Sequence, residues 1–184
     1  MRARRLALLA CAAAAFMQAQ AQEPESGAQA LAAQWRGVVV PPFPSGWQPQ
    51  VGSCIGQGET PDALCATMVS VLKDEQSGIR TVFATRPLRH ADGAPVGDPN
   101  RPLELVTDAL EPSALEDAQA ELSIGLCQRD GRDDRRIVAV VHPDVGTEWY
   151  TRLHGVWRLD DDGRFQPIPA DGVRCLNEGY GYDG

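Results

Sequence analysis

The sequence predicts a mainly β fold: a single antiparallel β-sandwich or small barrel, built from hairpins and carrying one short helix. An α+β fold with the helix packed on a curved sheet is the alternative. Two observations lead there. Short runs with apolar residues at alternate positions recur between residues 66 and 168, and the segments joining them are rich in Asp, Gly and Ser. Of the five cysteines, Cys11 lies within the first twenty-one residues, and four, Cys54, Cys65, Cys127 and Cys175, are spread over the rest of the chain. An even number of cysteines beyond residue 21 reads as a disulfide framework.

The elements follow in order. Residues 22–34 are polar and rich in Ala and Gln, and are expected to be flexible or loosely helical. Residues 35–40 read as a first strand. Pro41, Pro42, Pro44 and Pro49, interleaved with Gly46, Gly52, Gly56 and Gly58, make residues 41–61 a loop. Three hairpins are then expected. The first joins residues 66–73 to 79–86 through Asp74-Glu75-Gln76-Ser77-Gly78. The second joins residues 121–128 to 135–142. The third joins residues 149–159 to 165–168 through Asp160-Asp161-Asp162-Gly163, where an Asp-Gly pair between alternating runs is a strong turn signal. Residues 103–107 form a further strand, and residues 89–100 a loop rich in Gly, Pro and Asp. Ser113 and Glu116 have capping-box spacing and would open a helix running to about residue 120.

The first twenty-one residues read as a secretory signal. Arg2, Arg4 and Arg5 precede an uncharged apolar run over residues 6–16, and Ala19-Gln20-Ala21 offers small residues at a cleavage site. The run is too short to span a bilayer, which takes about 20 residues. Residues 35–176 are then expected to form one disulfide-bonded domain, and residues 177–184 a flexible Gly/Tyr tail. Removing residues 1–21 takes away three arginines and no acid, leaving 14 basic and 25 acidic side chains and a formal charge of −11. Such a charge repels phosphate backbones and anionic membrane surfaces, which argues against nucleic acid as a partner. Export and even cysteines together place the protein in the periplasm or outside the cell. Sixteen arginines against one lysine, with abundant alanine, read as a genome-composition effect and point to a bacterial source.

Of the three connectivities open to four cysteines, Cys54–Cys65 and Cys127–Cys175 are favoured. The first closes a local loop and the second pins the tail to the last long strands. In the loop-entropy picture they contribute roughly 3 and 4 kcal/mol. Zinc is the alternative use of these thiols, but no CxxC or CxxH pair exists.

Four side chains stand out as a candidate ligand site. If residues 149–159 form one strand, Tyr150, Arg152, His154 and Arg158 share a face, and Trp149, Leu153 and Trp157 share the other. Two guanidiniums, an imidazole and a phenol in a row suit a carboxylate, sulfate or sugar acid. A solvated sheet face paired with neighbouring acids is the plainer account of the same row. His142, Asp144, Glu148 and His154 are the residue types of a zinc or copper site, but they follow no compact ligand spacing. The acidic turns 130–134 and 160–162 lack the alternating pattern of a calcium loop and its distant glutamate. No GxSxG surrounds any serine. No metal, cofactor or catalytic set is therefore assigned. The expected function is a non-enzymatic binding or interaction protein of the bacterial cell envelope, its partner a protein or an anionic small molecule. The alternative is a small secreted hydrolase.

Overall fold

A computed structural model describes residues 27–56, 60–144 and 146–181, so the signal-like residues 1–21 lie outside the described residues. In chain order the elements are helix α1 (Gly27–Trp35), strands β1 (Val39–Val40) and β2 (Trp47–Ile55), a short helix α2 (Pro61–Leu64), and strands β3 (Thr67–Asp74) and β4 (Arg80–Pro87). Strands β5 (Gly97–Asp98), β6 (Arg101–Pro102) and β7 (Glu104–Leu110), a 3-10 turn (Ser113–Glu116), and strands β8 (Glu121–Ile124), β9 (Cys127–Arg129) and β10 (Arg132–Asp133) follow. The chain then forms β11 (Ile137–Val141), β12 (Trp149–Tyr150), β13 (Leu153–Leu159), β14 (Phe165–Pro167) and β15 (Val173–Leu176).

The fold is mainly β, and its strand pairs are antiparallel. A five-stranded sheet runs β1-β7-β4-β3-β2. A second sheet runs β14-β13-β11-β8, and a third runs β10-β9-β15-β12. They stack with α1 into layers, and one apolar cluster fills each gap. Between α1 and the first sheet lie Trp35, Leu72, Phe83, Val106 and Ala109, with Phe43 and Trp47 at the margin. Between the first and second sheets lie Val69, Val71, Val82, Ala84, Val138 and Val140, among others. Between the second and third lie Ile137, Ala139, Val141, Val156 and both cysteines of the Cys127–Cys175 bridge.

This layering explains the two most apolar strands. In β11, Val138 and Val140 face one core while Ile137, Ala139 and Val141 face the next, so all five residues are buried. In β4 the same division puts Val82 and Ala84 on one side and Phe83 on the other. A strand sandwiched on both faces has no solvent side and therefore shows no polar alternation. Phe83 is fully buried, with Trp35 stacked edge-on 4.9 Å away. Its burial contributes on the order of 3 kcal/mol.

Both disulfides form, joining Cys54 to Cys65 and Cys127 to Cys175. Cys127 and Cys175 stand directly opposite each other in the β9–β15 register.

Several expected boundaries move. Residues 27–34, expected to be flexible or loosely helical, form most of α1, because Leu31, Ala32 and Trp35 present one apolar stripe to the first sheet. The strand expected over residues 35–40 keeps only Val39 and Val40. The loop expected over residues 41–61 contains the nine-residue strand β2. It is an edge strand, where Pro49 interrupts no second ladder, and a register shift between Pro49 and Val51 accommodates the ring. Residues 113–120 form only a 3-10 turn over Ser113–Glu116, and Ser113 caps nothing. The carbonyls there are met from outside instead. The Arg80 guanidinium donates to the carbonyls of Leu115, Asp117 and Ala120. The second hairpin also divides. β8 and β11 pair as expected, but Gly125, at φ 72°, turns the chain out of the second sheet, and β9 and β10 form a hairpin in the third. The tail is anchored at its root, since Asn177 is buried.

Candidate functional site

The strand expected over residues 149–159 is two strands in two sheets. β12 pairs with β15, the chain breaks at Thr151 and Arg152, and β13 pairs with β11. The four side chains predicted as a row therefore enter separate surroundings. Tyr150 is half-buried, and its hydroxyl donates to Asn177 Oδ1 at 2.7 Å. Arg152 is exposed and has no hydrogen-bond or charged partner among the described residues. His154 is exposed, with its ring 4.2 Å from that of His142. Arg158 donates from Nε to Asp134 Oδ2 at 2.7 Å, so its charge is already met.

His154 is the extra residue of a β-bulge. Val140 pairs with Gly155 and Val141 with Leu153, which leaves His154 without a counterpart. Such a bulge re-aims one side chain, and here the side chain meets His142. Asp117 approaches the far edge of the pair, with Oδ2 3.5 Å from His142 Nε2. Asp144 and Glu148 do not join them. Asp144 Oδ1 accepts the Gly146 amide, and the backbone carbonyls of Asp144 and Glu148 accept from Asn177. Among the described residues no three His, Cys, Asp or Glu side chains converge where an ion would sit.

Asn177 is a residue that sequence reasoning missed. Its Nδ2 donates to the carbonyls of Asp144 and Thr147, and its Oδ1 accepts from Tyr150 and from the Gly179 amide. One buried amide thus ties β12, the 144–147 turn and the tail together. Nothing in the local sequence marks it, because it lies between a cysteine and a Gly/Tyr run with no periodic pattern.

The arrangement with the clearest binding geometry is a groove of about 330 Å³ on the side of the stack. It lies where one edge strand of each of the three larger sheets comes to the same wall: β2 of the first, β8 of the second and β12 of the third. Val51, Ser53, Leu126 and Tyr150 line it, together with Glu121 and Glu178, both exposed. No lysine, arginine or histidine lines it. Burial pushes the Tyr150 phenol above its ordinary value of 10.0, and the Glu121 and Asp144 carboxylates push it further. The groove thus has two carboxylates, Glu121 and Glu178, and no cation in its lining, with a neutral phenol beside them.

The edges around the groove carry unused backbone groups. The Gly125 amide donates to the Ile137 carbonyl, which continues the β8–β11 register. Antiparallel ladders alternate, so Glu121 and Ser123 turn their backbone groups to β11, and Leu122 and Ile124 turn theirs away. Among the described residues no strand pairs with β8 on that outer side. The Glu75 amide bonds the Gly46 carbonyl at the start of the β2–β3 pairing, and the Asp74 amide bonds the Ile79 carbonyl across the β3–β4 turn. The same parity then leaves Gly52 pointing outward from β2.

A wider cleft of about 620 Å³ lies beside the β3–β4 turn, but Arg80, which lines it, is held by the three carbonyls of the 113–120 segment. No helix among the described residues is long and apolar enough to cross a membrane. In comparisons with known proteins, no family model, no curated sequence and no solved structure matches this chain.

Proposed function

We propose that this chain is an exported, non-enzymatic binding protein of the bacterial cell envelope, and that it takes its partner on the wall formed by β2, β8 and β12. The observation that carries this reading is the groove on that wall, bordered by the edges of β8 and β2, where Leu122, Ile124 and Gly52 turn backbone groups outward that meet no strand among the described residues. Exposed strand edges are ordinarily covered or blunted. An edge that stays open beside a concave surface is the arrangement used for strand addition. The wall also exposes large apolar side chains, Val51 at 51% and Leu126 at 37% of their surface. Two disulfides fit an oxidising, extracytoplasmic compartment, and residues 1–21 have the pattern that would deliver the chain there.

An anionic ligand held by Tyr150, Arg152, His154 and Arg158 has less support. Arg158 is neutralised by Asp134, and Tyr150 lies in the field of carboxylates. The test is site-specific photo-crosslinking in the cells that produce the protein. A photoreactive residue at Val51 or Leu126 is expected to capture a discrete partner. The same residue at Val39, 42% exposed on β1 at the far edge of the first sheet, is not. Equal capture at all three positions, or at none, would contradict the reading.

A further inference from the structure

The groove also indicates the chemistry of what fills it. Resting on the docking wall proposed above, we infer that the occupant is an extended, basic segment of a partner protein, added as a strand to the free edge of β8 with a Lys or Arg side chain between Glu121 and Glu178.

Three features bear on this. The first is the backbone. Leu122 and Ile124 direct their N–H and C=O groups away from β11, so a chain lying 4.7–4.9 Å beyond β8 completes the alternating ladder. The second is charge. Glu121 and Glu178 line the groove with no cation to balance them, in a chain of formal charge −8. Glu121, which lines the groove, also adds to the rise in the Tyr150 pKa that burial begins. An acidic segment, or a polyanion, meets repulsion here and a basic one is drawn in. The third is the apolar surface of Val51 and Leu126, which suits a segment whose side chains alternate between basic and apolar.

The same charges disfavour a second copy of this chain. Two β8 edges paired with each other would bring two Glu121 and two Glu178 side chains into one groove. Like charges facing each other across a strand pair are destabilising.

The experiment uses the exported chain with its disulfides intact, labelled with ¹⁵N. Two capped pentapeptides are titrated into it: Val-Lys-Val-Arg-Val and its acidic counterpart Val-Glu-Val-Glu-Val. The basic peptide is expected to bind, to shift and protect the Leu122 and Ile124 amides, and to weaken as salt is raised. The acidic peptide is expected not to bind. Glu121→Gln with Glu178→Gln should weaken the basic peptide about tenfold and leave the melting temperature unchanged, since both side chains are exposed. Equal binding of the two peptides, a footprint away from β8, or affinity indifferent to the double substitution would each overturn the inference. Cross-linking at Val51 or Leu126 without any binding of the basic peptide would overturn this inference alone and leave the docking wall in place.

Discussion

Arg36 and Asp108, 72 positions apart in the chain, are joined by two hydrogen bonds: arginine Nε and Nη2 both donate to Oδ1, at 3.1 and 2.9 Å. The other carboxylate oxygen accepts the Phe165 amide at 2.9 Å. Asp108 is 4% exposed on β7, so this one carboxylate ties the end of α1 to the first sheet and the first sheet to β14 of the second. Asp108→Ala strands the Phe165 amide in the interior and removes the partner of Arg36. It is expected to cost about 3 kcal/mol. Arg36→Ala is expected to cost about 1 kcal/mol, because the guanidinium side chain is 41% exposed. Denaturant unfolding of both variants checks the order, and equal losses would show that Asp108 acts only through Arg36.

The disulfides are expected to differ in accessibility. Cys127 and Cys175 are 2% and 0% exposed within a core, whereas Cys54 is exposed on an edge strand. Limited reduction of the native protein should therefore open Cys54–Cys65 first, as mapped by alkylation and peptide mass. Removing Cys127–Cys175 should cost more stability, roughly 4 against 3 kcal/mol in the loop-entropy picture. Faster reduction of Cys127–Cys175 would mean that the third sheet opens more readily than its burial implies.

Tyr150 links the groove to pH. Its folded-state pKa lies above the ordinary phenol value, chiefly through burial and then through Glu121 and Asp144. A group raised on folding contributes stability that is complete below its unfolded value and is lost as pH climbs through the folded one. The protein is therefore expected to lose stability above about pH 10, where ionised Tyr150 no longer donates to Asn177. Tyr150→Phe should cost about 1 kcal/mol near neutrality and flatten that part of the alkaline loss. Melting curves from pH 7 to 11 compare the two proteins, and parallel curves would rule Tyr150 out as a source of the alkaline loss.

Local signals in the sequence were a good guide to pairing and a poor guide to layering. The turns at 74–78 and 160–163 mark their hairpins because Asp and Gly supply the side-chain acceptors and positive φ those turns require. Asp160 Oδ1, for example, accepts the amides of Asp162 and Arg164, and Gly163 has φ 74°. What stayed hidden is where the chain leaves one sheet for another. Gly125 and the pair Thr151-Arg152 do this between residues that look continuous, since β11 and β13 present apolar side chains to cores on both sides. The site followed the same pattern. The sequence marks Tyr150 only as part of one unbroken strand, and Glu121 and Val51 reach the same groove only through the stacking of three sheets. Asn177 and the bulge at His154 depend on register, which no local composition records.

The docking wall rests on the free edge of β8, and amide hydrogen exchange of the unliganded, disulfide-intact chain tests that edge most directly. Ser123 turns its amide to β11 opposite Ala139, whereas Leu122 and Ile124 turn theirs to the groove. Exchange resolved residue by residue should find Ser123 strongly protected and both neighbours much faster, with protection of Leu122 and Ile124 appearing once a partner is bound. Protection of all three amides to the same degree in the free protein would mean that the edge is already covered, and the wall would then have no open strand to offer.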